Sequence, residues 1–184
     1  MPVSTLDPVA ALVVIDLQKG VASLPAVQPL IGPAVANSAT LAKAFRAKGL
    51  PVVLVNVTGR PPGRADVPGP KSPMPAEAAE LLPELEQHPS DLLITKQRWG
   101  AFTGTTLHEQ LQARNATQIV LTGVATSIGV ESTARSAHEL GYHVVLVSDA
   151  MADLNPDAHA HSLKAIFPRL GEVDTTAAVL AKLV

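Results

Sequence analysis

Two side chains of opposite charge stand where apolar runs end: Asp16 directly after Ala10–Ile15, and Lys96 directly after Leu92–Thr95. A carboxylate and an ammonium that meet in a partly buried cleft offer a proton donor or acceptor with a charge partner to tune it. Burial raises the pKa of such an aspartate and a neighbouring lysine lowers it, and the residues alone leave the winner open. They leave open, too, the plainer reading of an ordinary ion pair, or of an aspartate that caps the following turn. Gln18 follows Asp16, and Arg98 and Trp99 follow Lys96. A further apolar run ends at Gly123, and Val124-Ala125-Thr126 leads from it into a helical pattern starting at Ser127. Such a turn points free backbone N–H groups at the same edge, a site for an anion or oxyanion, or it is a tight connection and nothing more. Arg60, Arg64 and Arg98 are suited to gripping a carboxylate bidentately, and Trp99 and Phe102 to walling an apolar pocket. Solvated surface and core packing are the ordinary alternatives for these five. Thr126 and Ser127 sit where a hydroxyl caps a helix. Ser132 shares a helix face with Gly129 but has no histidine base near it in sequence. His138, His143, His159 and His161 show no metal-ligand spacing.

For these residues to meet, strands must carry them to one edge. Ala10–Ile15, Val52–Val57, Leu92–Thr95, Ile119–Thr122 and Val144–Val147 are nearly continuous runs of Val, Ile, Leu and Ala. Strands buried on both faces of a parallel sheet read this way. Helical spacing fills the gaps over Ala34–Lys48, Thr105–Arg114 and Ser127–Leu140, and the first and last stop before Gly49 and Gly141, where a helix C-cap is expected. Alternation of this kind predicts βαβ units with helices on both faces of a parallel sheet. In such a sheet ligands bind outside the carboxyl ends of the strands, where Asp16, Lys96 and Gly123 stand. Gly59–Pro75 holds six prolines and three glycines, so it is neither helix nor central strand. It reads as a rigid surface loop or as a lid over the strand ends. The tail from Gly171 reads as a short strand and a final helix, Thr175–Leu183.

The chain has 184 residues, 47% apolar and 16% charged, with a formal charge of −2 and no polybasic run. This is one globular domain's worth of chain, and nucleic acid or an anionic membrane is not an expected partner. With no cysteine, disulfides, thiolate metal ligands and cysteine nucleophiles are all excluded. The first residues show no basic signal region, and the run Val9–Ile15 has a strand's length and not a membrane span's. A cytoplasmic location is the default expectation.

Four blocks carry a resemblance over nearly the whole chain. Ala11-Leu-Val-Val-Ile-Asp-Leu-Gln18, Ile94-Thr-Lys-Gln-Arg-Trp-Gly-Ala-Phe102, Gly123-Val-Ala-Thr-Ser-Ile-Gly-Val-Glu-Ser-Thr-Ala134 and Gly141-Tyr-His-Val-Val-Leu-Val-Ser-Asp-Ala150 follow in order. Together they resemble the isochorismatase-like hydrolase family. The resemblance implies a single α/β domain over residues 1–184, a Rossmann-type three-layer α/β/α fold with a six-stranded, mainly parallel sheet. It implies Asp16 as catalytic aspartate and Lys96 as catalytic lysine, and it puts the family's nucleophilic cysteine on Gly129. Amidases of the family form an acyl-enzyme on that thiolate, whereas isochorismatases resemble this chain in having glycine there and hydrolyse an enol ether without a covalent intermediate. The metal-binding Asp-x-His that nicotinamidases carry after strand two is replaced by Asn56-Val57-Thr58, so neither metal nor other cofactor is expected. Gly100 departs from the serine of many relatives. The expected activity is hydrolysis of a small molecule by an Asp–Lys pair, with Gln18, Arg60, Trp99, Phe102, Ala125 and Thr126 as substrate-binding residues. Hydrolysis of another small amide or ester by Asp-activated water, and a silent small-molecule binder, are the alternatives. Family members are commonly homodimers or homotetramers.

Overall fold

The computed structural model describes residues 2–67 and 74–183. Residues 68–73, the centre of the proline-rich stretch for which a lid was an alternative, lie outside the described residues. Six strands are present: β1 (Ala10–Ile15), β2 (Val52–Val57), β3 (Leu92–Lys96), β4 (Gln118–Val124), β5 (His143–Ala152) and β6 (Glu172–Asp174). They form one sheet in the order β3-β2-β1-β4-β5-β6, and every pairing is parallel. The order reverses between β1 and β4, the place where open α/β sheets part their loops and bind ligands.

The connections are α1 (Lys19–Ala22), α2 (Gln28–Ala47), α3 (Leu107–Gln112), α4 (Glu131–Glu139), α5 (Pro156–His161), α6 (Phe167–Leu170) and α7 (Thr176–Lys182). All of β1 is buried, and its side chains alternate between two apolar layers, as a strand's period of two demands. Leu12 and Val14 pack with Leu41 and Phe45 of α2 and Val179 of α7. Ala11, Val13 and Ile15 pack with Leu107 of α3, Ala134 of α4 and Phe167 of α6. Full burial of side chains such as Leu41 and Phe45 contributes roughly 1.5–3 kcal/mol each. Edge strand β3 alternates buried and exposed residues, so only one of its faces is fully covered.

Three elements depart from the sequence expectation. Helix α2 starts at Gln28 and not at Ala34, with Pro29 near its first residue and Pro33 inside it. A proline in the first turn removes no intrahelical bond, and the apolar stripe from Ile31 through Phe45 carries the helix past Pro33. Strand β5 runs on to Ala152, well beyond Val147. The stretch from Pro156 to Leu170, for which the sequence reading offered no element, is helical throughout, with a wide π-type turn at Ser162–Ile166.

Candidate active site

Strands β1 and β3 deliver Asp16 and Lys96 to the same edge, with β2 between them. Lys96 Nζ lies 2.7 Å from Asp16 Oδ2 and also donates to the Arg98 carbonyl at 3.1 Å. Both residues are buried, Asp16 at 6% exposure and Lys96 at 2%. Asp16 adopts a left-handed backbone with φ of 51°, which an aspartate tolerates better than most residues but at a cost of roughly 1–2 kcal/mol. This reversal ends β1 abruptly. The second carboxyl oxygen, Oδ1, is buried with no hydrogen-bond partner among the described residues. Burial pushes the Asp16 carboxyl up to about 6, with the Lys96 charge and hydrogen bond pulling the other way. Burial therefore wins, and both protonation states are within reach near neutral pH.

The turn after β4 closes the site from the other side. Gly123 has φ of 116°, and a Cβ there would stand 2.0 Å from the Ile15 carbonyl oxygen, so only glycine lets β4 bend this close to β1. The Val124–Ala125 peptide is cis. Thr126–Val130 then forms a π-type turn that runs directly into α4. Within it Gly129 faces the acid: a Cβ built there would lie 3.4 Å from Asp16 Oδ2 and 3.1 Å from Ile15 Cγ2.

Asp16, Lys96, Gly129, Ala125 and Trp99 thus line one cleft of about 170 Å³. Val21, Leu24, Val57, Ile128 and Leu154 supply most of its apolar wall, and Arg98 borders it. Trp99, Leu24 and Leu154 are exposed. Larger clefts of about 470 and 530 Å³ exist, but neither is lined by Asp16 or Lys96. Size is the poorer guide here, because a buried acid with a displaced pKa is what a catalytic cleft needs. Among the described residues no three His, Asp or Glu side chains gather where they would hold a metal ion.

Four residues expected to bind substrate lie outside the lining of this cleft. Gln18 is fully buried and its amide is consumed by backbone: Nε2 donates to the Val57 and Ala78 carbonyls at 3.0 and 2.9 Å, and Oε1 accepts from Val57 N at 2.7 Å. It clips the ends of β1 and β2 to the segment after the proline-rich stretch. Phe102 stacks on Tyr142 at 5.8 Å, in the layer on the α3 and α4 side of the sheet. Arg60 is exposed and outside the cleft lining. Thr126 is buried beneath the turn, where its hydroxyl meets the Ala152 carbonyl and His159 Nδ1. Sequence reasoning missed Val21, Leu24, Ile128 and Leu154 in the wall, and Asp153 and His159 behind it. The Asn155-Pro156 pair was the available signal for that region, since asparagine then proline is a helix start; Asn155 does cap α5 through Asp157 N and Ala158 N.

Comparison with known proteins settles the family. The isochorismatase domain matches residues 10–178. The chain belongs to the isochorismatase family. It is similar to the isochorismatase family protein YwoC of Bacillus subtilis (strain 168), 41% identical over 173 residues that cover 90% of this chain and 89% of that one. An isochorismatase family protein from Burkholderia thailandensis has the same fold, with a TM-score of 0.91 and 46% identity, covering 100% of this chain and 98% of the other. More distant is the ureidoacrylate amidohydrolase RutB of Pseudomonas savastanoi pv. phaseolicola (strain 1448A / Race 6), 29% identical over 89% of this chain and 80% of that protein. This member of the isochorismatase family is accordingly a hydrolase.

Proposed function

We propose that this isochorismatase-family hydrolase cleaves an enol ether or related bond of a small molecule by acid–base catalysis, without a covalent intermediate. Asp16, protonated, gives its proton to the vinyl carbon of the substrate. Water adds to the oxocarbenium ion so formed and gives up a proton to the Asp16 carboxylate, and the resulting hemiketal collapses to a carbonyl compound and an alcohol. Lys96 orients the substrate and steadies the carboxylate that Asp16 becomes. The observation that carries this reading is the buried Asp16 carboxyl, held at about 6, facing a position that has no side chain to attack with. The orphaned Asp16 Oδ1 adds support, since a buried acceptor without a donor costs roughly 1–3 kcal/mol until a substrate or water meets it. Trp99 and Ala125, which line the cleft, flank the substrate. The same reading takes the protein as a homodimer or homotetramer.

One observation favours a second reading, hydrolysis of a small amide or ester by water that the Asp16 carboxylate activates: the similarity to an amidohydrolase. A pH profile of kcat/KM separates the two, on a panel containing isochorismate, simple amides and carbamates. An acid that must be protonated loses rate as pH rises through about 6, whereas a base gains rate over the same interval. Trapping of an acyl-enzyme would overturn both.

A further inference from the structure

The turn that packs over Asp16, together with the first residue of α4 that follows it, is gripped from behind at three points. Ser127 N donates to Asp153 Oδ2 at 2.6 Å, Thr126 Oγ1 lies 2.8 Å from His159 Nδ1, and Ser162 Oγ donates to Glu131 Oε2 at 2.6 Å. All three gripping residues come from the end of β5 and the helical stretch after it. Asn155 ties that stretch together, its N–H donating to Asp153 Oδ1 at 3.0 Å while its side chain caps α5. His159 and Ser162, three residues apart, share a helix face.

Thr126 is the member closest to the chemistry. Its neighbour Ala125 lines the cleft, and the turn it begins ends at Gly129, against the Asp16 carboxyl. The hydroxyl has one proton to give. With that proton directed to the Ala152 carbonyl at 3.2 Å, His159 Nδ1–H is the donor to Thr126 Oγ1.

We propose that His159 is a positioning residue, which through Thr126 holds the turn from Val124 to Gly129 against Asp16 and so keeps the acid dry. The proposal rests on the reading of Asp16 as the reacting acid, but its test does not. Loosening this turn admits water to Asp16, and a hydrated carboxyl titrates nearer the ordinary 3.8 than about 6. The other charged side chains lining the cleft are Lys96 and Arg98, on the β3 side, and among the described residues their hydrogen bonds go to Asp16 and to the backbone of Gln97 and Arg98.

The experiment is a carbon-13 NMR titration of the Asp16 carboxyl, assigned by comparison with Asp16→Asn, in wild type, His159→Leu and His159→Asn. His159→Leu should lower the Asp16 midpoint by at least one pH unit. His159→Asn, which offers an N–H near the place of Nδ1, should hold it close to the wild-type value. Thr126→Val removes the same contact from the other side at nearly constant volume and should reproduce the fall even if His159→Leu folds poorly. A midpoint unmoved in both His159→Leu and Thr126→Val overturns the proposal, as does an equal fall in His159→Asn, which would mark a merely structural loss. Full activity in Asp16→Asn with the shifts intact would sink the proposed reaction and leave the positioning role standing.

Discussion

Among the described residues two ion pairs hold a buried carboxylate, and they are built to opposite standards. At the end of α2, Arg46 grips Asp91 with two bonds, Nε to Oδ1 at 2.9 Å and Nη2 to Oδ2 at 2.8 Å. His88 N adds a third bond to Oδ2, and Nη2 also reaches the Leu85 carbonyl. Every oxygen of Asp91 is engaged. Across the sheet edge, Lys96 meets one oxygen of Asp16, and the other has no hydrogen-bond partner among the described residues. The first pair fastens α2 to the approach of β3. The second leaves the Asp16 carboxyl raised to about 6 by burial, against the pull of Lys96. A stability-minded arrangement would finish the second pair as thoroughly as the first.

The sharpest way to break this contrast is to neutralise each acid. Asp16→Asn should lower turnover by roughly 10²–10⁴-fold. Asp91→Asn should leave turnover unchanged and cost about 1–3 kcal/mol in urea unfolding. Equal losses of turnover would erase the distinction. Next in size is the removal of one partner of the unfinished pair. Lys96→Met strands a buried carboxylate and should destabilise the protein by about 3–5 kcal/mol at pH 8. The loss should shrink at pH 5, where Asp16 can take up a proton; an equal loss at both values would contradict a buried, titrating acid. The third test lies in the pH dependence of the wild type. Because the folded Asp16 binds its proton up to about 6 and the unfolded one only to 3.8, its stabilising contribution is complete below 3.8 and is lost as pH rises through 6. The difference is about 3 kcal/mol at full extent. It appears as the wild-type curve minus that of Asp16→Asn, measured by denaturant titration from pH 4 to 7.

Much of this was legible in the residues. Asp16 and Lys96 were placed at one edge because continuous apolar strands dictate a parallel sheet, and a parallel sheet gathers its strand ends there; Gly129 was added by the family resemblance alone. The outcome of the contest at Asp16 was not legible, since burial is a property of the packed molecule. Gln18 lies outside the cleft lining for a local reason that the sequence did not show: the left-handed turn at Asp16 sends the chain back toward β2, where the amide meets backbone. Phe102, three residues beyond Trp99, turns into the core while Trp99 stays exposed, and sequence distance cannot tell the two faces apart. The buttress around His159 escaped because its helices are short and their buried residues few; only Asn155-Pro156 announced them.

Trp99 is the sole tryptophan of the chain, and it stands half in solvent at the mouth of the cleft. Its emission therefore originates at one place, the rim of the cleft that Asp16 and Lys96 line. A change in that light on adding a compound reports occupancy directly, with no need for a coloured product. The molecule thus carries its own indicator for the search for its substrate.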